Sequence, residues 1–255
     1  MSSIYTWTKR KEDLQVRIAN PAHPYPRCAV LDCPKPTLAY ERKGLNRNYC
    51  RQHAEHYRRH GSYSKPGYTA GELNPYRKAA LSWLAAHSDA PAVRDATQRV
   101  EALYWRAGRP VEAFRAAGRP PHERAKSVWA HLRERGVAPS HLLAAWLAVE
   151  LRHRADPRPE RRIEYRRVQA AKILHRLAGG THKRWERLRS DGSVEVETIH
   201  RYPASRGQVL RSLGRMLSWA AAPLEAAVDQ IACDIAGTAG LPEGRLPRAR
   251  SRGTR

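Results

Sequence analysis

Leu142-Leu143-Ala144-Ala145-Trp146-Leu147-Ala148-Val149-Glu150-Leu151 is the stretch on which the fold turns, ten residues with Glu150 as the one charge. Leu and Ala are strong helix formers. A helix that is apolar on nearly every side has no face to give to water, so it belongs at the centre of a bundle. Ser140 stands where an N-cap is needed, and the pattern carries the helix to Arg154.

Working outward, the flanking segments repeat at helical spacing. Ala125, Val128, Trp129 and Leu132 follow i, i+3, i+4, i+7 and stop at Gly136. Val93, Ala96, Val100, Leu103 and Tyr104 do the same and stop at Gly108. Ala79, Ala80, Trp83 and Leu84 give one apolar side to a helix that Pro75 can open. Gly-Arg-Pro at 108–110 and 118–120 reads as punctuation, Gly closing one helix and Pro opening the next. Beyond the centre, a helix from about Pro159 to Ala178 closes on Gly179-Gly180. Two short strands follow, about 184–189 and 194–199, joined through Ser190-Asp191-Gly192-Ser193, and Asp-Gly between extended runs is a hairpin signal. Ser205 can cap a helix carrying Val209, Leu210, Leu213, Met216 and Leu217, and a last helix runs from Pro223 towards Ala236, with Cys233 as a core residue.

The expected organisation is therefore a module over 1–61, a linker over 62–74, a helical bundle over 75–156, and a basic helix, hairpin and further helices over 157–240. A basic tail over 241–255, rich in Arg, Pro and Gly, is expected to be disordered. The fold class is mainly α.

Ahead of the bundle lies a different signal. Cys28 and Cys33, then Cys50 and His53 after sixteen intervening residues, give C-x4-C followed by C-x2-H. Paired thiols and an imidazole at these spacings suit tetrahedral zinc. Cys50 and His53 are one helical turn apart and face the same way. Cys28 and Cys33 meet them from a knuckle, which makes a treble-clef-like module. Four protein ligands leave no open position for water, so the zinc is expected to be structural and to supply much of the module's folding free energy. His56 and His60 lie close enough to compete for the fourth place.

From Cys28 through Cys33-Pro34 to Asn48-Tyr49-Cys50-Arg51-Gln52-His53 and Tyr57-Arg58-Arg59-His60-Gly61, the segment resembles the small zinc module of phage and mobile-element proteins, often found beside HNH homing endonuclease domains. The resemblance covers about forty residues and implies zinc and proximity to DNA. It implies nothing for the rest of the chain. HNH chemistry uses a general-base His, a positioning Asn and a metal-ligand His, and no Asn follows Asn74. Glu195 and Glu197 alternate beside Asp191 without the Lys that a metal-dependent nuclease places after such carboxylates. The reading leans away from an enzyme, with a divergent HNH-like nuclease as the alternative.

Charge points the same way as the zinc. Lys plus Arg number 47 against 24 Asp plus Glu, a net +23, and the excess runs through every third of the chain. Such a field attracts phosphate backbones. In the module, Arg51, Arg58 and Arg59 are the candidate contacts. In the later helix, Arg161, Tyr165, Gln169, Lys172 and Arg176 fall opposite an apolar stripe of Ile163, Ala170, Leu174 and Leu177. Arg161, Arg162, Arg166, Lys172 and Arg176 are its candidate contacts, and Lys183 and Arg184 extend them into the hairpin. Helix, helix, basic helix, hairpin is the order of a winged helix-turn-helix. Double-stranded DNA is the expected partner, with RNA or a larger nucleoprotein assembly as alternatives. No run reaches the roughly 20 apolar residues that span a bilayer, and the amino terminus lacks the apolar core of a secretory signal. Three of the four cysteines in a ligand pattern argue against a disulfide framework, and the location expected is cytoplasmic, on the nucleoid.

Overall fold

Helix Pro139–Arg154 buries all ten residues from Leu142 to Leu151, and the rest of the helical part is arranged around it. In the computed structural model, the described residues are 27–111, 115–116, 118–179, 181–201 and 207–236, with side chains at 181–184 and 197–201 left aside. The expected basic tail and the Ser205 cap lie outside these residues. The chain divides into two units, Met1–Pro66 and Gly67–Arg255.

The first unit holds α1 (Arg51–His60). The second holds α2 (Ala70–Ala86), α3 (Pro91–Arg106), α4 (Pro121–Glu134), α5 (Pro139–Arg154), α6 (Ile163–Ala178), the hairpin β1 (Thr181–Leu188) and β2 (Val194–Arg201), α7 (Gln208–Glu225) and α8 (Val228–Ala236). The fold is mainly helical: a Cys/His region, a helical bundle, and a carboxyl-terminal hairpin with further helices. Among the described residues, no helix is long and apolar enough to cross a membrane.

α5 packs against α2 and α6, and α7 lies across α3, α4 and α6. The apolar stripes expected on α3 and α4 are the buried ones: Val93, Ala96, Val100 and Tyr104, and Ala125, Val128, Trp129 and Leu132. At the α6–α7 crossing Gly214 lets the backbones meet, since a Cβ there would sit 2.5 Å from the Arg167 carbonyl oxygen. Pro opens α3, α4 and α5, where its missing N–H costs nothing.

Several boundaries differ from expectation. α2 begins at Ala70, not at Asn74–Pro75, so the segment read as a linker over 62–74 already contains a helical turn. The cause is a capping box: Thr69 Oγ1 accepts from Glu72 N at 3.2 Å, and Glu72 Oε2 accepts from Thr69 N at 2.8 Å. Pro75 then sits inside the helix. α7 likewise runs through Pro223 to Glu225 before α8 begins at Val228. Pro223 has no N–H for the carbonyl of Trp219, four residues back, and Arg99 Nη1 donates to that oxygen at 3.3 Å. Cys233, expected in the core, is exposed: it lies on the outer side of α8, while Ile231 and Ile235 face in.

The hairpin is longer than the two short strands expected. It is antiparallel, with Trp185 opposite Glu197, Arg187 opposite Glu195 and Leu188 opposite Val194. Asp191 Oδ1 accepts from Ser193 N at 2.9 Å, and Gly192 takes φ 81, the left-handed conformation the turn requires.

Candidate metal centre and basic surfaces

The four side chains singled out by spacing come together because three short backbone segments lock against one another. Cys28 N donates to Lys35 O at 2.9 Å and Cys33 N to Val30 O at 3.1 Å, closing a tight knuckle that Arg27 and Pro36 bridge at its base. Asp32 supplies the left-handed residue, φ 61, which Asp tolerates better than most. The return segment crosses behind it: Ala29 N donates to Asn48 O at 2.7 Å, Leu38 N to Tyr49 O at 3.1 Å and Ala39 N to Asn46 O at 3.1 Å. Asn46 Oδ1 accepts from the N–H groups of both Asn48 and Tyr49, turning the chain into α1. Cys50 is the N-cap of that helix and makes no side-chain capping bond, so its sulfur points at the other donors.

Cys28 Sγ lies 3.2 Å from His53 Nδ1, Cys50 Sγ 3.4 Å from the same nitrogen, and Cys33 Sγ 4.0 Å from Cys50 Sγ. All four donor atoms fall within 4.8 Å of one another. A zinc tetrahedron with bonds of about 2.3 Å to sulfur and 2.0–2.1 Å to nitrogen has edges of about 3.6 Å between sulfur and nitrogen and about 3.8 Å between sulfurs. The donor set and its dimensions fit such an ion. Four protein donors also complete the tetrahedron, so no position is left for an activated water.

Burial and neighbouring groups shift the donors in different directions. Burial pushes the Cys50 thiol up, with Cys28 adding to it. Burial works against the Cys28 thiolate too, but hydrogen bonds from the Cys50 and Val30 backbone and neighbouring thiols outweigh it and bring that thiol down. Burial, followed by His56 and Lys35, lowers His53 and favours the neutral imidazole that can ligate. His56, the rival ligand, is committed elsewhere. Its Nδ1 lies 2.8 Å from Ser62 O, and its ring stacks on His60 with centroids 4.4 Å apart. Tyr63 stacks on both Tyr49 and Tyr57, with ring centroids 3.4 and 4.4 Å apart.

Arg51, Arg58 and Arg59 are all exposed on α1. At 100° per residue they share one arc of the helix, away from His53. Arg51 Nε reaches Glu55 at 3.1 Å, and this contact holds the Glu55 carboxyl below its usual range. Beside the cluster lies an open cavity of about 440 Å³, lined by Lys35, Arg51, His56, Arg59 and His60, with Glu41 and Glu55 its acids.

The later basic helix requires correction. α6 packs against α4, α5 and α7, so its polar side is largely covered. Tyr165 and Gln169, expected on the open face, are buried, while Ile163, assigned to the apolar stripe, is exposed. Tyr165 meets Tyr68 edge to face at 5.4 Å, in a buried network where Tyr68 donates to Asp156 at 2.9 Å. Arg166 is half-buried and ion-paired with Glu150. Lys172 is half-buried, and burial followed by Arg176 pushes its ammonium down to about 8. Arg161, Arg162 and Arg176 are exposed, but the first two precede the helix. Burial of Tyr165 and Gln169 thus narrows the exposed part of the contact face expected of a winged helix-turn-helix to Arg176 within α6 and to Arg161 and Arg162 ahead of it. Lys183 and Arg184 lie on β1 opposite Ile199 and Thr198, and their side chains are outside the described part of the structure.

One concave feature had no counterpart in the sequence. α3, α4 and α7 border an open cavity of about 400 Å³ with an aromatic and apolar lining and a cationic edge. Its residues come from three distant segments, so no spacing announces it. No family model matches the chain, and neither does any curated protein or solved structure.

Proposed function

We propose that this chain is a non-catalytic, zinc-containing DNA-binding protein of phage or mobile-element type, gripping duplex DNA through its first unit. The observation that carries the reading is the placement of α1. One side of the helix supplies Cys50 and His53 to a closed Cys3His cluster, and another presents Arg51, Arg58 and Arg59 to solvent. Zinc holds the helix rigidly while its arginines meet phosphates, and Arg59 can lodge one beside Lys35 in the adjoining cavity. The net charge of +23 supports an anionic polymer as partner. The phage and mobile-element attribution rests on the resemblance of residues 28–61.

The test is binding of the zinc-loaded full chain to duplex DNA and matched RNA across a salt series. Replacing Arg51, Arg58 and Arg59 with Ala should flatten the logarithmic salt slope for duplex by about 0.9 for each phosphate that is no longer neutralised. An unchanged slope refutes the contact surface. Preference for RNA transfers the protein to a ribonucleoprotein role, and a magnesium-dependent cut in plasmid DNA overturns the non-catalytic assignment.

A further inference from the structure

The open cavity between α3, α4 and α7 combines three properties. Its inner wall is apolar, with Leu103 and Met216 half-buried and Trp129 only 1% exposed. Its edge is cationic: Arg106 and Arg215 are exposed, Lys126 is half-buried, and among the described residues no acid lines it. Lys126 is countered by Glu123 at 3.0 Å, which stands outside the lining.

The third property is a fixed, exposed indole. Trp219 is 45% exposed at the cavity, and the Arg99 guanidinium lies 5.5 Å from its ring centroid. That guanidinium is itself held in three places. Its Nε and Nη2 each reach Asp95 at 3.0 Å, and its Nη1 takes the Trp219 carbonyl that Pro223 leaves unpaired in the helix. The indole is thus set in place before any ligand arrives, which lowers the ordering cost of stacking on it.

We propose that this cavity takes an unstacked nucleobase of a single-stranded nucleic acid, with the base on Trp219 and its flanking phosphates on Arg106 and Arg215. A base offers a flat π-face for the indole, and its backbone offers the anions that the edge requires. About 400 Å³ is within the range of pockets that enclose small ligands, about 300–1,000 Å³. An acidic amphipathic peptide would match the edge, but would leave the preset indole without a stacking partner. The inference goes beyond the reading of α1: it concerns the other unit and a different form of nucleic acid.

The experiment titrates fluorescein-labelled dT12 with the zinc-loaded full chain, following both anisotropy and tryptophan emission. Binding should quench the emission. Trp219→Ala should weaken binding by about 5- to 150-fold, the usual loss for one stacked base, and Trp219→Phe should recover most of it. Arg215→Ala, at an exposed position, should flatten the salt slope for dT12 by about 0.7. Unchanged dT12 affinity in Trp219→Ala and Arg215→Ala overturns the proposal. So does tight capture of an acidic amphipathic peptide by the wild type, abolished in both variants, with dT12 binding unaltered; the cavity then belongs to a protein partner. Duplex binding measured in parallel separates the two readings. The Arg51, Arg58 and Arg59 substitutions should act on duplex, and the cavity substitutions on the single strand.

Discussion

Replacing Cys50 with Ser should unfold the first unit and leave the second folded. Cys50 sits at the meeting point of the cluster, 3.4 Å from His53 Nδ1 and 4.0 Å from Cys33 Sγ, and it is also the N-cap of α1. Among the described residues of this unit, the buried apolar side chains are Cys28, Cys50 and Ala54, and two of those three are donors of the cluster. Ala54 contributes a single methyl group, on the order of 0.8 kcal/mol of burial. Structural zinc in small modules supplies about 10–16 kcal/mol of apparent binding free energy near neutral pH. The metal term therefore exceeds the fully buried apolar term by about an order of magnitude, and also exceeds the two Tyr63 stacking contacts at about 0.5–1.5 kcal/mol each; a hydroxyl in place of one thiolate removes much of it. The helical unit shares none of this: its core includes Trp129, Leu147, Leu174 and Leu217. Zinc content by mass spectrometry, trypsin sensitivity and far-ultraviolet circular dichroism read the outcome together. The variant should lose zinc and become cleavable at Arg51, Arg58 and Arg59, while its helical melting transition stays in place. Stoichiometric zinc in the variant, or wild-type resistance to trypsin over residues 27–66, would refute the reasoning.

Two further substitutions probe the helical unit. Gly214→Ala would gain up to about 1 kcal/mol in an open helix, but its Cβ meets the Arg167 carbonyl at 2.5 Å, and overpacking costs about 1–3 kcal/mol; the net should be a lower urea midpoint, and a higher one would show that α6 and α7 separate at no cost. Burial depresses the Lys172 ammonium to about 8 in the fold, below its ordinary 10.5, so the unfolded chain holds the extra proton between those values and stability from this group rises with pH across that window. Lys172→Met should accordingly be more stable than wild type at pH 7, by about 1–3 kcal/mol after allowance for solvent screening, with the gap narrowing from pH 8 to 10.5; a gap independent of pH would contradict the burial of that ammonium.

What could be read along the chain was whatever local spacing encodes. Cys28, Cys33, Cys50 and His53 announce their meeting because a knuckle and one helical turn fix the ligand geometry over a few residues. Leu142–Leu151 announces its burial because an apolar residue falls on nearly every side, whatever the neighbours are. The hairpin is legible from Asp191-Gly192, and the start of α2 was equally present in Thr69-x-x-Glu72, although Pro75 is the more conspicuous opening signal.

The tertiary structure decided which sides of the other helices meet water. α6 carries its polar residues in an arc that looks solvated when the helix is taken alone. Packing against α4, α5 and α7 covers that arc, pairs Arg166 with Glu150 and buries Tyr165 and Gln169. The cavity of α3, α4 and α7 is of the same kind. Leu103, Trp129 and Trp219 are far apart in the chain, and the Arg99 bond that fixes Trp219 depends on a carbonyl left open by Pro223. Periodicity records a helix's own faces, whereas burial and cavities depend on which partners cover those faces. That information exists only once distant segments are brought into contact.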